Sequence, residues 1–247
     1  MRKPTRAAVA AVGGALALTS IAHGTAPAQA APSPGRTQIH ASSVYPHVGV
    51  GTGAKSFTVT YRVTDSGSGV KRVAASAHNG KARLSATKTT CRGPRHDVTC
   101  TSYFTADPGR NLREGSAGSW RVRVGATGST TVSGIGAEVS IEHTTRLTIN
   151  ATPEPVRNGR IITVYGTLTR SHWNARSYVG YGGQNVHLGF RRTDEPYYTW
   201  LATKATDRRG NVRVDLRAYR DGTFRYDYYG RDGVQRAAST PDFVDVR

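Results

Sequence analysis

Eight histidines, sixteen acidic side chains and two cysteines are the groups of this 247-residue chain best suited to catalysis or metal binding. Each needs partners at a set spacing. A serine nucleophile of the elbow type sits in G-x-S-x-G, a pattern the chain lacks; Gly115-Ser116-Ala117-Gly118 reads as a loop tetrapeptide. The histidines stand singly, without the H-E-x-x-H pair that sets two imidazoles on one helix face for zinc. A glycosidase needs two acids across a cleft. Asp194 and Glu195 are adjacent and precede Pro196, so they read as a turn. Asp215 and Asp227 alternate with apolar residues, which puts them on outward strand faces as cross-strand partners of arginines. No catalytic set is visible, and the expectation is a non-enzymatic protein without a cofactor.

Calcium asks only for oxygen ligands gathered from turns. Asp65 in DSGSG and Asp207 in DRRGN are weak candidates, while the loop of an EF-hand is absent. Lys71, Arg208 and Arg209 raise the positive potential beside them, and Asp favours turns for backbone reasons alone. Both read as turn-formers first, with calcium binding as the alternative.

The aromatic residues carry a stronger signal. Fourteen of the twenty follow residue 144. Trp173, Tyr178 and Tyr181 lie with Arg176 in HWNARSYVGYGG, a Gly-rich segment that reads as a loop or irregular edge between good strands. Aromatic faces stack on sugar rings, and guanidinium groups pair with anionic ones. These four residues are therefore the expected ligand-binding set, with a place in the core, on a sheet face or at the domain interface as the alternative for the three aromatics. Tyr197, Tyr198 and Trp200 follow a second turn, with Arg191 and Arg192 near them. Phe190, Phe224 and Tyr226 are expected in the core.

The elements that must position these groups are strands. Phe57, Val59, Tyr61 and Val63 alternate with polar residues, as do Trp120, Val122, Val124 and Ala126. That is the period of a strand buried on one face. Residues 70–77, 98–104 and 132–141 add further strands, and the pattern restarts near residue 145. Ile162, Val164 and Leu168 alternate there with Gly166 in phase, followed by runs at 186–190, 197–205, 212–218 and 224–228 and a last pair, Val244 and Val246. Outside the first 30 residues no run shows the apolar spacing i, i+3, i+4, i+7 of a helix. The chain therefore reads as all-β, in two sandwiches.

Cys91 and Cys100 flank CRGPRHDVTC, whose Gly93-Pro94 marks a turn. Metal binding would need tighter thiolate spacing and more ligands than His96. A disulfide is the expected state, provided the chain is exported. Residues 1–30 supply that condition: Arg2, Lys3 and Arg6, then the apolar run from Ala7 to Ala22, then Ala28-Gln29-Ala30. These are the three parts of a signal peptide, with cleavage expected after Ala30 and secretion as the outcome. The apolar run is shorter than the roughly 20 residues of a membrane span, which favours cleavage over the alternative of an uncleaved anchor. No second long apolar stretch follows, so no span is expected in the mature chain. Residues 31–36 (APSPGR) form a flexible lead-in, residues 37–144 the first sandwich and residues 145–247 the second.

The whole chain carries a formal charge of +18. Three basic and no acidic residues lie in the leader, which leaves +15 for the rest. A cationic surface favours polyanions. The arginines are spread over both halves among acids, with no zinc finger, helix-turn-helix or RNP strand, so specific nucleic-acid binding is not expected. A polyanionic or glycan surface outside the cell is the partner that charge and aromatics together imply.

The second half also carries a resemblance. INATPEPVRNGRIITVYGTLTR, HWNARSYVGYGGQNVHLGFRR, DRRGNVRVDLRAYRDGTFRYDYYG and the final PDFVDVR resemble a family of secreted actinomycete proteins over about residues 146–247. Residues 37–144, with VGVGTGAKSFTVTYRVTDSGSGV, the two cysteines and the Trp120 strand, look similar to the family's N-terminal part. The resemblance implies an immunoglobulin-like C-terminal module, hence two tandem immunoglobulin-like β-sandwiches. Some members carry a calcium-binding label, without a defined ligand set.

Overall fold

The computed structural model describes residues 35–247; the expected leader and residues 31–34 of the lead-in lie outside the described residues. The first sandwich has nine strands: β1 (Thr37–His40), β2 (His47–Val50), β3 (Lys55–Asp65), β4 (Arg72–His78), β5 (Arg83–Ser85), β6 (Lys88–Arg92), β7 (Asp97–Ala106), β8 (Gly118–Thr127) and β9 (Thr131–His143). One sheet runs β1-β3-β7-β6 and the other β2-β9-β8-β4-β5. Every pairing is antiparallel except β2 with β9. The chain thus starts on one sheet at β1 and crosses to the other at β2, in the strand order of an immunoglobulin domain.

Alternation explains why this half folds. Trp120, Val122, Val124 and Ala126 of β8 are buried while Arg121, Arg123 and Gly125 are exposed. They meet Val59, Tyr61 and Val63 of β3 and Phe104 of β7 across the core. Each such side chain contributes about 1.5–3 kcal/mol by leaving water. The polar tips inside are satisfied: Tyr61 Oη lies 2.8 Å from Ser102 Oγ, and Trp120 Nε1 donates to the Ser116 carbonyl at 2.9 Å. Cys91 and Cys100 form a disulfide between directly opposed positions of β6 and β7. It links neighbours within one sheet, whereas the disulfide of antibody domains joins the two sheets.

The second sandwich holds β10 (Thr145–Leu147), β11 (Asn150–Thr152), β12 (Ile161–His172), β13 (Ser177–Gly180), β14 (Asn185–Arg192), β15 (Thr199–Ala205), β16 (Asn211–Arg217), β17 (Gly222–Tyr228), β18 (Ala237–Ala238) and β19 (Asp242–Val244). β12 organises one sheet, with β10 and β11 on one side and β13 and β16 on the other. The second sheet runs β15-β14-β17-β18, with β19 also on β17. Ile162, Val164 and Leu168 pack against Leu188, Phe224 and Tyr226. Phe224 and Tyr226 are buried as expected, and Phe190 is half-buried beside them. Gly166 is required on this face, because a Cβ there would collide with the Thr148 carbonyl. The fold is all-β, with two tandem immunoglobulin-like sandwiches. Among the described residues no helix is long and apolar enough to cross a membrane.

Candidate functional site

The segment HWNARSYVGYGG is not a loop. β12 runs on to His172 and pairs with β13, making a hairpin whose turn holds Trp173 and Arg176. Trp173 is fully buried, and it is buried in the core of the other sandwich. Its indole lies 4.0 Å from the His143 ring, and Nε1 donates to the Val50 carbonyl at 3.0 Å. This corrects the expectation that Trp173 faces a ligand: the hairpin projects it across the junction, where the end of β2 offers an apolar slot and a carbonyl acceptor. Tyr178 is half-buried, with Oη 2.8 Å from Thr144 Oγ1 and its ring capped by the Arg146 guanidinium at 3.7 Å. Tyr181 packs edge-on to Tyr228, and the Arg170 guanidinium lies 5.3 Å from its ring. Only Arg176 is exposed, in the turn at φ 52°. These four residues do not form one open surface.

Trp173 and Tyr178 belong to a polar junction instead. Glu114 accepts hydrogen bonds from Arg170 Nη1 at 2.5 Å and from the Trp173 amide at 2.8 Å, and His143 Nε2 lies 3.8 Å away. Burial pushes Glu114 up, but the bonds from Arg170 and Trp173 and the nearby positive charge hold it below the usual carboxylate range. Burial holds His143 below the ordinary histidine value despite Glu114. Ser171, His143 and Glu114 form a row like a nucleophile, base and acid, with Ser171 Oγ 3.5 Å from His143 Nδ1. The hydroxyl is fully buried and donates to the Val50 carbonyl at 2.9 Å. Its proton is committed to that carbonyl, so the row ties the two sandwiches together.

The carboxylates expected to suit calcium are also occupied. Asp65 is buried and accepts five hydrogen bonds, from Thr37 Oγ1, Ser129 Oγ and the amides of Gly67, Gly69 and Ser129. Burial raises its pKa, and these bonds overcome that and hold it well below the usual range. Asp207 accepts from the amides of Asn211 and Arg209 and from Asn211 Nδ2, within its own turn. Among the described residues no three His, Cys, Asp or Glu side chains are grouped to hold a metal ion. Asp215 and Asp227 do pair with arginines, but with Arg213 and Arg225 two residues away on the same strand. Side chains at i and i+2 share a face, which the cross-strand expectation overlooked.

The open aromatic surface lies on the β14–β15–β17 sheet. Along β14, Val186 and Leu188 point into the core while His187 and Gly189 point out. Trp200 of β15 lies over Gly189, where a Cβ would stand 3.0 Å from the indole. The missing side chain lets the ring rest on the sheet, with 47% of the residue exposed. His187 stands 6.0 Å from the Trp200 ring and 4.8 Å from Tyr229, and its Nδ1 is 2.9 Å from Thr203 Oγ1. Tyr229, 60% exposed, stands nearly perpendicular to Trp200 at 6.2 Å. Tyr198 continues the row, with the Arg225 and Arg191 guanidinium groups 4.2 and 5.4 Å from its ring. Among the described residues Arg191 Nε is buried without an acceptor.

Tyr229 also lines a cleft of about 860 Å³ between the sandwiches, with Tyr45, His47 and Glu142 on one wall and Arg231 and Arg236 on the other. His47 Nδ1 is 2.6 Å from Glu142 Oε1, which also accepts from Ser140 Oγ at 2.8 Å. The loop after β17 is fixed to β9 by main-chain bonds, His143 N to Gly233 O and Gln235 N to His143 O, both 2.9 Å. The first domain thereby holds the cleft wall of the second. A concavity on the outer face of β4 and β8 is lined by Ala74, Ser76, His78, Arg83, Arg123 and Ser133 and brings no tryptophan, tyrosine or phenylalanine. Sequence reasoning noted Trp200 and Tyr198 but missed His187 and Tyr229. The signal that could have found the face is Gly189 at an outward position of an otherwise well-formed strand.

No protein-family model matches the chain, and no curated protein does. Solved structures with related architecture include the Escherichia coli adhesin FdeC, 13% identical, over 87% of this chain and 64% of that one, with a TM-score of 0.36. Murine CEACAM1b is 13% identical over 86% of this chain and all of its own length, at 0.35. A chimeric titin Z1Z2 is 16% identical over 86% and 96%, at 0.27. Likenesses this distant say nothing about ligand or role.

Proposed function

We propose that this is a secreted, non-enzymatic binding protein that engages glycan or anionic surfaces through the outer face of its second sandwich. The observation that carries it is Trp200, laid on Gly189 with its outer face open beside Tyr229 and His187. Large aromatic rings left in water favour a partner that covers them, and sugar rings and acidic groups match flat aromatics bordered by arginine. The Cys91–Cys100 bridge and the expected leader support an extracellular place of work.

Retention on isolated cell walls at moderate salt tests this. The wild type is expected in the bound fraction, and Trp200→Ala and Tyr229→Ala in the supernatant with unchanged melting temperatures. Equal retention of all three would refute the role of this face. A calcium-binding structural or signalling protein, the alternative role, would gain support from a rise in melting temperature when Ca²⁺ is added after EDTA.

A further inference from the structure

Building on that binding role, we infer that the Trp200 face and the inter-sandwich cleft are one continuous site for a linear acidic polysaccharide. Tyr229 makes them continuous. Its ring belongs to the cluster with His187 and Trp200, and it also lines the cleft with Tyr45 and Arg231. A single sugar covers one of these stations; only a chain covers the strip.

The acid character follows from unspent charge. Among the described residues Arg191, Arg231 and Arg236 have no carboxylate within 4.0 Å, although each borders the strip. A neutral chain would leave these guanidinium groups without the partner they bind best. The charge is also sparse. Asp232 and Glu142 stand in the same cleft as Arg231 and Arg236. Acceptors there suit sugar hydroxyls and repel a backbone charged at every unit. The near-perpendicular rings of Trp200 and Tyr229, 78° apart, make a corner in which a sugar ring lies on one face against a wall. Successive nucleic-acid bases stack on platforms, and a corner offers them no such run. A polysaccharide with intermittent acid groups is the occupant these features select.

Titration calorimetry on the whole protein decides it, using hyaluronan and unsulfated chondroitin oligomers, with a carboxylate on every second sugar, from dimer to octamer, their methyl esters, and oligothymidylate of matched length. Affinity for at least one acidic series is expected to rise about tenfold or more from dimer to octamer, as linked contacts engage. The neutral ester should bind at least about tenfold more weakly than its acid. Arg231→Gln/Arg236→Gln should flatten the length dependence and keep dimer binding. An ester that binds as tightly as the acid overturns the acidic assignment and leaves glycan binding standing. Affinity independent of length overturns the continuous site. Tighter binding of oligothymidylate makes the occupant a nucleic acid. If no saccharide binds and cell-wall retention still depends on Trp200, this inference falls alone; if retention fails too, both fall.

Discussion

At the scale of the residue, tryptophans of one domain have opposite fates. Trp173 and Trp200 both lie in aromatic, arginine-bearing stretches, yet one plugs a core and the other lies open. Trp173→Ala empties a slot at the junction and takes the indole donor away from the Val50 carbonyl. Removal of a buried Trp side chain costs about 3–5 kcal/mol, so the urea midpoint should fall strongly while cell-wall binding of the folded fraction persists. Trp173→Phe retains most of the packing and loses one hydrogen bond, worth roughly 1 kcal/mol. A midpoint unchanged by Trp173→Ala would contradict the plug.

At the scale of the element, strands were legible and their extensions were not. The alternation in 57–63 and 120–126 names the buried residues of β3 and β8 because half of each strand must face the core. The hairpin of β12 and β13 was hidden, since glycines and polar residues obscure its period and the one large apolar residue of its turn, Trp173, is buried by the other domain. The disulfide belongs to this scale. A cross-link closing 15 residues stabilises by about 3 kcal/mol through lost chain entropy, and this loop is shorter, so replacing both cysteines by serine should lower stability by roughly 2–3 kcal/mol. The β6–β7 ladder should survive, because Thr90 and Thr101 remain paired beside it; a denaturant titration and amide exchange measure the two effects.

At the scale of the whole molecule, the junction makes stability depend on pH. Glu114, held low, stabilises the folded state when ionised, and that contribution is lost as acid protonates it. His143, also held low, stays neutral in the fold while the unfolded chain takes up a proton near its ordinary value of about 6.5. Both groups bind more protons unfolded, so stability falls as pH falls. Arg170, which pairs with Glu114, opposes protonation of His143 further. From pH about 7 to about 5 the histidine contribution should approach 1.4 kcal/mol per pH unit at most. Thermal melts of His143→Gln should show a shallower slope across that interval and keep the steeper loss below it. An identical slope in the variant would remove His143 from this role.

The sequence by itself determined the all-β character, the positions of the main strands and the cysteine pairing, because period-two alternation and a short oxidisable loop are local properties. It also determined the excess of positive charge. Tertiary structure alone decided which aromatics meet solvent. Trp173 is buried by residues more than 100 positions earlier, at Val50. Trp200 is exposed because Gly189, on the neighbouring strand, gives it a floor. Exposure depends on what packs against a side chain, and that neighbour is set by the fold.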